Sequence, residues 1–409
     1  MKFCELTEEE FRKFSSTHEL CSFFQTPEMA RSKKEDGCNY YYVGIKNDNE
    51  ILCATLLLEY KGTLFKTFSA PRGYLIDFTN QELLKKFTDE IKKFIKKKGG
   101  TLLNIEPKIL YKERDMNGQL VDGGFDNSEI YNNLINLGYK HSGFYLELDL
   151  TKQVRWAYIL DLENKTEDQV FSEFKPNTRN IIRKAIKYGI CIRELNIDEL
   201  DIFKQLVDSS GELKNFKSAP LKYYQKMYRI FKPLDQIRFV VAELDLNKYS
   251  LCLNNELEEY KQKILKLGSN SDNKKNEYQN QIAILTQRLE DLSIKRKDGD
   301  NAILAGGMFM LYGKEIAYLF SGTSSKFRNF QAQYLVQWEM IKHGIQNGYK
   351  TYDFYGISGD FSKENKRHGL YEFKKSFGGN VIEYIGDFDL IISPFKYYLR
   401  KLISRIGGK

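Results

Sequence analysis

The hydrophobic positions of the chain fall into short apolar runs that alternate with longer amphipathic stretches. Ile51–Leu58 is an almost continuous apolar run with the length of a buried strand. Residues 80–98 place apolar side chains three and four positions apart, and Gly99-Gly100 would end such a helix. A second strand-like segment, Thr101–Glu106, follows directly. This alternation predicts the α/β class.

The second half of the chain repeats the order of the first. Ile237–Leu244 parallels Tyr40–Lys46, and Ala302–Leu311 parallels Ile51–Leu58. Generic α/β pieces can resemble one another by chance, but the matching order and spacing favour an internal duplication.

The pattern changes abruptly over residues 246–297, between two predicted strands of the second half. Two apolar runs step by alternating four and three positions, which is typical of paired helices, and the polar residues 268–275 between them suit a hairpin tip. A disordered loop is the alternative that this periodicity disfavours. Ten Lys and Arg against seven Asp and Glu indicate a solvated surface rather than a strongly basic rod. The two runs are Leu253, Leu257, Tyr260, Ile264 and Leu267, and Tyr278, Ile282, Leu285, Leu289 and Leu292.

Composition and missing motifs narrow the class of protein. The formal net charge of +8 permits an anionic partner without requiring one. Six scattered cysteines without a CxxC pair indicate neither a disulfide framework nor a zinc site. The N-terminus does not resemble a signal peptide and no segment is long enough to span a bilayer, so we expect a cytoplasmic protein. P-loop, GxSxG, HExxH and GxGxxG motifs are absent, which favours an activated substrate and neither metal nor organic cofactor.

A basic stripe occupies the helix predicted within residues 171–189. Arg179 and Arg183 are four positions apart, and Lys184 lies beside them. Such a stripe can bind phosphates, although a solvated helix face explains the same charges equally well.

A second group of candidates lies in residues 321–339, where a strand runs into a Gly/Ser/Thr turn and then a helix. Lys326 and Arg328 alternate with Phe327 and Phe330, so cations and aromatic rings flank a helix start that suits an anionic group. The two phenylalanines could stack on a base or fill the core.

Other candidates stand alone. Asp353 could act as a base, although an aspartate near a Gly-rich turn is more often a turn or cap residue. Arg72 adjoins another Gly turn, and Lys33 ends a short predicted helix that opens at Pro27. Residues 395–406 form a basic amphipathic helix that either packs on the last sheet or lies at an anionic membrane surface.

Motifs spread over nearly the whole chain resemble those of the FemABX family of aminoacyl-tRNA-dependent peptidoglycan aminoacyltransferases. Each motif alone is short, but together and in this order they are highly specific. They are FxQT at Phe23–Thr26, VGIK at Val43–Lys46, RGxxID at Arg72–Asp77, NLGYxHxGF at Asn136–Phe144, SGTSxxFRxFxxxYxVQWEMI at Ser321–Ile341, FYGxSGxF at Phe354–Phe361, and FKKxF with IEYxGDF within Phe373–Phe388.

The resemblance implies a fold. Family members have two halves similar to the GNAT acyltransferase fold, and many carry a coiled-coil arm. We therefore expect an α/β protein with two GNAT-like subdomains and an inserted antiparallel coiled-coil hairpin. The expected ranges are 1–150 for the first subdomain, 151–245 with 298–392 for the second, 246–297 for the hairpin and 393–409 for a basic C-terminal helix.

The resemblance also implies an activity. The family transfers Gly, Ala or Ser from aminoacyl-tRNA to an amine of the peptidoglycan stem peptide. The acceptor is lipid II or its soluble precursor UDP-MurNAc-pentapeptide, and the hairpin and basic tail favour lipid II at the inner membrane face. A monomer, a homodimer or a pairing with a paralogue stays open. Two other functions compete: a GNAT-type N-acyltransferase that uses acyl-CoA, which lacks its pyrophosphate-binding signature here, and a non-catalytic binding protein.

Single residues take roles from the same resemblance. Lys33 matches a lysine that contacts precursor phosphates, and Tyr224 matches one tyrosine of a pair. The arginine that the family often has before that pair is missing here, so either Lys217 or Lys222 replaces it, or the phosphate contact is weaker or comes from elsewhere. The predicted catalytic residues are Lys326, Arg328 and Asp353. The predicted substrate-binding residues are Lys33, Arg72, Arg179, Arg183, Lys184, Lys217, Tyr224 and Phe330.

Overall fold

The computed structural model describes residues 1–62, 65–149, 151–267, 272–295 and 299–406. The strands are β1 Lys2–Glu5, β2 Asn39–Asn47, β3 Glu50–Lys61, β4 Lys66–Arg72, β5 Gly100–Pro107, β6 Tyr139–His141, β7 Trp156–Asp161, β8 Ile190–Glu194, β9 Ile237–Asp245, β10 Asn301–Tyr312, β11 Glu315–Thr323, β12 Thr351–Gly356, β13 Asn380–Glu383 and β14 Phe388–Ile391. The helices are α1 Glu8–Thr17, α2 Pro27–Glu35, α3 Gln81–Lys97, α4 Ser128–Asn136, α5 Glu167–Glu173, α6 Pro176–Lys187, α7 Leu200–Lys214, α8 Leu221–Phe231, α9 Leu246–Leu265, α10 Asp272–Lys295, α11 Gln333–Gln346, α12 His368–Lys375 and α13 Pro394–Ile406.

In the described residues the strands form two mixed sheets of seven strands each. The first sheet has the order β1-β2-β3-β4-β5-β14-β6, and the second has the order β8-β9-β10-β11-β12-β7-β13. In both sheets the fourth and fifth strands pair in parallel, and all other neighbours pair antiparallel. The predicted α/β class with two sheets is confirmed, and the matching orientations are those expected of duplicated halves.

One strand crosses the predicted boundary between the two halves. β14 lies within the range 298–392 that was assigned to the second subdomain, but it pairs with β5 and β6 in the first sheet. β7 occupies the corresponding sixth position of the second sheet, between β12 and β13. The sheet assignment therefore differs from the predicted ranges at β14, because the end of the chain returns to complete the first sheet.

The helices α9 and α10 lie between β9 and β10, where the apolar periodicity predicts an insertion. The Leu246 N–H donates to the Asp300 carbonyl at 2.8 Å, so the two ends of the insertion lie together. Tyr260, late in α9, contacts Tyr278, early in α10, with ring centroids 5.7 Å apart. The two helices therefore run antiparallel.

Coiled-coil packing of this helix pair stays a prediction. Leu253, Leu285 and Leu292 are buried, as the periodicity predicts for a shared face. Residues 268–271 and 296–297 of the predicted hairpin lie outside the described residues, as do residues 407–409 of the predicted C-terminal helix.

Side chains of both sheets share a hydrophobic core where the two halves meet. Leu56 of β3 lies in one cluster with Phe239 of β9 and Met308 of β10, and Phe203 of α7 and Tyr224 of α8 complete it. All five side chains are at least 98% buried, which fixes the two halves against each other. This junction positions the candidate site, whose side chains come from both sheets.

Candidate active site

The pairing of β11 with β12 ends at Asp353. The two strands run in parallel only as far as Ala317, which lies opposite Asp353. The register of β12 on β7 also shifts, between Asp353 and Gly356. Tyr355, between them, has a φ of 64°, which a bulky residue rarely adopts. Local strain of this kind concentrates at functional sites, which makes the end of β12 a candidate site.

Asp353 is a buried carboxylic acid at this irregular end of β12. Its side chain is 4% exposed and accepts a hydrogen bond from the Tyr355 N–H at 2.6 Å. Burial, and then the negative charge of Glu315, raise the pKa of Asp353 above its ordinary value. The carboxyl group is therefore able to exchange a proton closer to neutrality than an exposed aspartate.

Lys374 of α12 is the buried cation that faces the same strand end. Its side chain is 4% exposed, and Nζ donates to the carbonyls of Tyr355 at 3.0 Å and Gly356 at 2.7 Å. Burial lowers the pKa of Lys374, and the charge of Asp353 opposes that shift. An ammonium group has three N–H donors, and the contacts found in the described residues use two of them.

Charged groups from the first half of the chain complete the cluster. Lys108, which follows β5, donates to Glu315 of β11 at 3.1 Å. Arg72, at the end of β4, donates to the Val154 carbonyl at 2.8 Å and lies 3.9 Å from the ring centroid of Tyr384. The cluster therefore spans the junction of the two sheets.

Glu106 of β5 is a second acid in the same region. Burial raises its pKa, and its carboxylate accepts a hydrogen bond from the Gln153 N–H at 2.9 Å. The Tyr355 hydroxyl donates to the side-chain oxygen of the same glutamine at 3.2 Å. Glu106 and Asp353 are thus connected through Gln153 and Tyr355.

This arrangement is suited to aminolysis of an ester. A carboxylate with a raised pKa can accept a proton from an attacking amine near neutral pH. A buried ammonium group can donate to the oxyanion that forms at the carbonyl, and its effect is larger out of water. Asp353 and Lys374 are the described groups that combine burial, a perturbed pKa and a position at the strand end.

Two other predicted residues, Lys184 and Phe330, lie together at a second place. They line a cavity of about 330 Å³ that lies between α6, residues 329–331 and the base of the α9–α10 pair. The base is the end of the pair next to β9 and β10, where Tyr249 and Arg288 lie. Lys326 and Arg328 are exposed on the 3₁₀ helix Ser325–Phe330, which follows β11 and leads to this cavity.

Three other predicted cations, Arg179, Arg183 and Lys217, are at least partly exposed. Arg179 donates to the Ser172 carbonyl at 2.8 Å, and the Arg183 guanidinium lies 5.3 Å from the ring centroid of Phe171. Lys217 is exposed in the loop after α7.

Lys33 and Tyr224 lie on helices that pack against each other. Lys33 is half-exposed on α2, and α8 contacts α2 through Lys226, whose Nζ donates to the Ser32 carbonyl at 3.2 Å. Tyr224 of α8 is completely buried, whereas Tyr223 beside it is only partly buried. Of the predicted tyrosine pair, Tyr223 is therefore the accessible ring.

Comparison with known proteins decides the family. The model of the FemAB family matches residues 6–405. The chain belongs to the FemAB family. It is 32% identical over 416 residues to aminoacyltransferase FemA of Staphylococcus epidermidis, which covers 99% of this chain and 100% of that protein. It is 32% identical to FemA of Staphylococcus aureus strain MRSA252, over 95% of this chain and 94% of that protein.

A solved structure agrees with these sequence relatives. The crystal structure of FemX matches 98% of this chain and 99% of its own with a TM-score of 0.77 and 26% sequence identity. The predicted family, the fold class and an aminoacyltransferase that builds the peptidoglycan interpeptide bridge are confirmed at this level. The acyl-CoA and non-catalytic alternatives are not favoured.

In this FemAB-family chain the sequence prediction missed Lys374. Lys374 and Lys375 follow one another in an FKKxF motif, and the motif does not show which of the two lysines is buried at the site. A signal was available in the helix phase, because Lys374 lies three positions after the aromatic Tyr371 and so shares its helix face; in the structure both side chains are buried. Among the described residues, no helix is both long and apolar enough to cross a bilayer.

Proposed function

We propose that this chain transfers the aminoacyl group of a charged tRNA to an amine of the peptidoglycan stem peptide. Membership of the FemAB family supports the reaction class. The observation that carries the proposal within the molecule is the buried Asp353 and Lys374 at the irregular end of β12. An aminoacyl ester is already activated, so positioning and electrostatics can supply the catalysis.

Each group has a role in the proposed reaction. The acceptor amine attacks the ester carbonyl carbon, a carbon–nitrogen bond forms, and the carbonyl oxygen becomes an oxyanion. Asp353 accepts the amine proton, and Lys374 donates to the oxyanion. As the ester carbon–oxygen bond breaks, the proton passes to the leaving ribose oxygen. Lys326 and Arg328 stay predicted catalytic residues that hold the donor close to this point.

Apart from Lys184 and Phe330 at the cavity, the predicted substrate-binding residues fall into two groups. Lys33, Arg179, Arg183 and Lys217 are at least partly exposed, and we propose that they contact the phosphates of the two substrates. Arg72 and Tyr224 are buried. For these two we propose a positioning role, through the neighbouring rings of Tyr384 and Tyr223.

The test of this function is a transfer assay with tRNA carrying labelled glycine, alanine or serine. Lipid II and UDP-MurNAc-pentapeptide are offered separately, and acetyl-CoA replaces the charged tRNA in a parallel reaction. We expect label on the stem peptide only with charged tRNA. Acylation from acetyl-CoA, or no product with any of the three charged tRNAs, would reject the proposal.

A lipid-linked acceptor at the membrane face is supported by α13. Five apolar side chains lie at spacings of three and four along it and are all exposed, by 78% at Phe395 and 56% at Leu402. Residues 394–409 contain five Lys or Arg and no Asp or Glu. An apolar face on a basic segment binds anionic lipid surfaces. The five side chains are Phe395, Tyr398, Leu399, Leu402 and Ile403.

We expect the double substitution Phe395→Ser with Leu402→Ser to release the protein from anionic vesicles. Two apolar side chains inserted partway contribute about 2–3 kcal/mol, so partitioning should fall on the order of 30- to 150-fold. Co-sedimentation with phosphatidylglycerol-containing and pure phosphatidylcholine vesicles measures this. The control replaces Leu251 and Leu265, which are also exposed but lie on α9. Equal binding by both double variants would exclude α13 as the contact.

A further inference from the structure

The cavity at the base of the helix pair brings cationic and aromatic side chains together. Its volume of about 330 Å³ is at the lower end for small-ligand sites and suits one nucleotide rather than a duplex. Lys184 of α6 and Arg288 of α10 both line it, and Asp291 is the acid among the lining residues.

Aromatic rings form one wall of this cavity. The ring centroids of Tyr188 and Tyr249 are 4.9 Å apart at an interplanar angle of 64°. Phe330 packs on Tyr249 at 5.1 Å and 66°, and it is only partly buried. Arg288 Nη1 donates to the Tyr188 hydroxyl at 3.0 Å, so the guanidinium is held at the same wall. Flat apolar surface therefore lies beside positive charge.

In the described residues, Lys184 and Arg288 have no ion pair like the one that their neighbour Lys187 forms. Lys187, one turn after Lys184 on α6, forms an ion pair with Glu256 at 2.5 Å. At Lys184, by contrast, partial burial and then the positive charge of Arg288 lower the pKa. Two mutually repelling cations at one cavity are stabilised by an anion that binds between them.

We infer that this cavity binds one unpaired nucleotide of the RNA donor, with its phosphate between Lys184 and Arg288 and its base on Phe330. Cations with a stacking ring are the features that recognise single-stranded nucleic acid. The inference deepens the proposed function and rests on it.

The position of the cavity agrees with this donor role. Tyr334, four residues after Phe330, contacts Phe373 and Phe377, with ring centroids 4.9 and 5.5 Å away. These two phenylalanines flank Lys374 in sequence. Through Tyr334, α11, which follows Phe330 in the chain, thus packs on Phe373 of α12, the helix that carries Lys374.

The experiment measures binding of an uncharged acceptor-stem minihelix with a single-stranded 3′ end, by fluorescence anisotropy over a series of salt concentrations. Lys184→Gln and Arg288→Gln should each weaken binding and reduce the slope of log affinity against log salt by about one. Phe330→Leu should weaken binding by about tenfold without changing the slope. Lys187→Gln is the matched control and should change affinity less than about twofold, since its charge is paired with Glu256.

A blunt-ended minihelix separates the unpaired end from the duplex. We expect the variants and the wild type to bind it equally. Equal losses on the blunt RNA, an equal loss in Lys187→Gln, or unchanged affinity in both Lys184→Gln and Arg288→Gln would overturn the inference. So would a raised KM for the peptidoglycan acceptor with unchanged RNA affinity, which would assign the cavity to the acceptor's pyrophosphate. Failure of the proposed function is distinguishable, because it appears as absent transfer in the wild type.

Discussion

Replacing Lys374 by methionine should lower the rate of aminoacyl transfer by about 100-fold or more, because loss of one oxyanion donor costs about that much in acyl transfer. Methionine keeps much of the volume of the side chain but removes the charge and the donors. Since the donor acts on the transition state, kcat should fall and the KM values for both substrates should change little. Steady-state kinetics with charged tRNA and the peptidoglycan precursor measure both quantities.

The matched control for Lys374 is Lys375→Met, one position along α12. Lys375 donates to the Asn117 side chain at 2.8 Å, whereas the β12 carbonyls accept from Lys374. Its activity should stay close to that of the wild type. Because Lys374→Met leaves two carbonyls without their donor, its thermal unfolding midpoint is measured as well. A folded Lys374→Met variant with full turnover would remove Lys374 from the mechanism.

Local elements of the fold could be predicted from the sequence because their signals are local. The helix predicted at residues 80–98 is α3, Gln81–Lys97, whose first turn is capped by the Asn80 side chain that accepts from the Leu83 N–H. The predicted strand Ile51–Leu58 lies within β3. In these segments the apolar period and the end signals agree, so a short window of sequence contains the answer.

The pairing of β14 with strands of the first sheet could not be predicted in the same way. Its four residues, Phe388–Ile391, pair with Leu102–Ile105 across more than 280 positions of the chain. A short strand has no signal for its partner, and its register is set by burial against distant neighbours.

The candidate site shows the same limit. From the sequence, Asp353 was a weak candidate base because aspartates are common in turns. Two structural features make it a stronger one: the β11 pairing ends opposite it, and it is buried beside Glu315. The closeness of Lys184 and Arg288 is likewise a product of folding, since 104 positions separate them and only the return of α10 brings them together. Buried charge is a tertiary property, so residue type and spacing supply only a list of candidate residues.

Asp353→Asn should lower the rate of transfer by about 100-fold to 10,000-fold, the range that general-base groups contribute. The amide oxygen of asparagine can still accept the hydrogen bond from the Tyr355 N–H, so the strand end should keep its conformation. The matched control is Asp360→Asn, seven residues later, where the carboxylate accepts from the Ser362 N–H and hydrogen bonding lowers its pKa. That variant should retain activity.

The pH dependence of kcat distinguishes a base from a structural carboxylate at Asp353. The base acts when it is deprotonated, so the wild-type rate should rise with pH through the pKa of Asp353, which burial and Glu315 move upward towards neutrality. The ammonium form of Lys374 is the donor, so the rate should fall again as pH rises through the pKa that burial lowers. The result is a narrow bell near neutral pH. In Asp353→Asn the acidic limb should disappear, and the alkaline limb should move to lower pH because the charge of Asp353 no longer raises the pKa of Lys374. An unchanged acidic limb would assign the base to another group, and Glu106, whose pKa burial also raises, would be the next to replace.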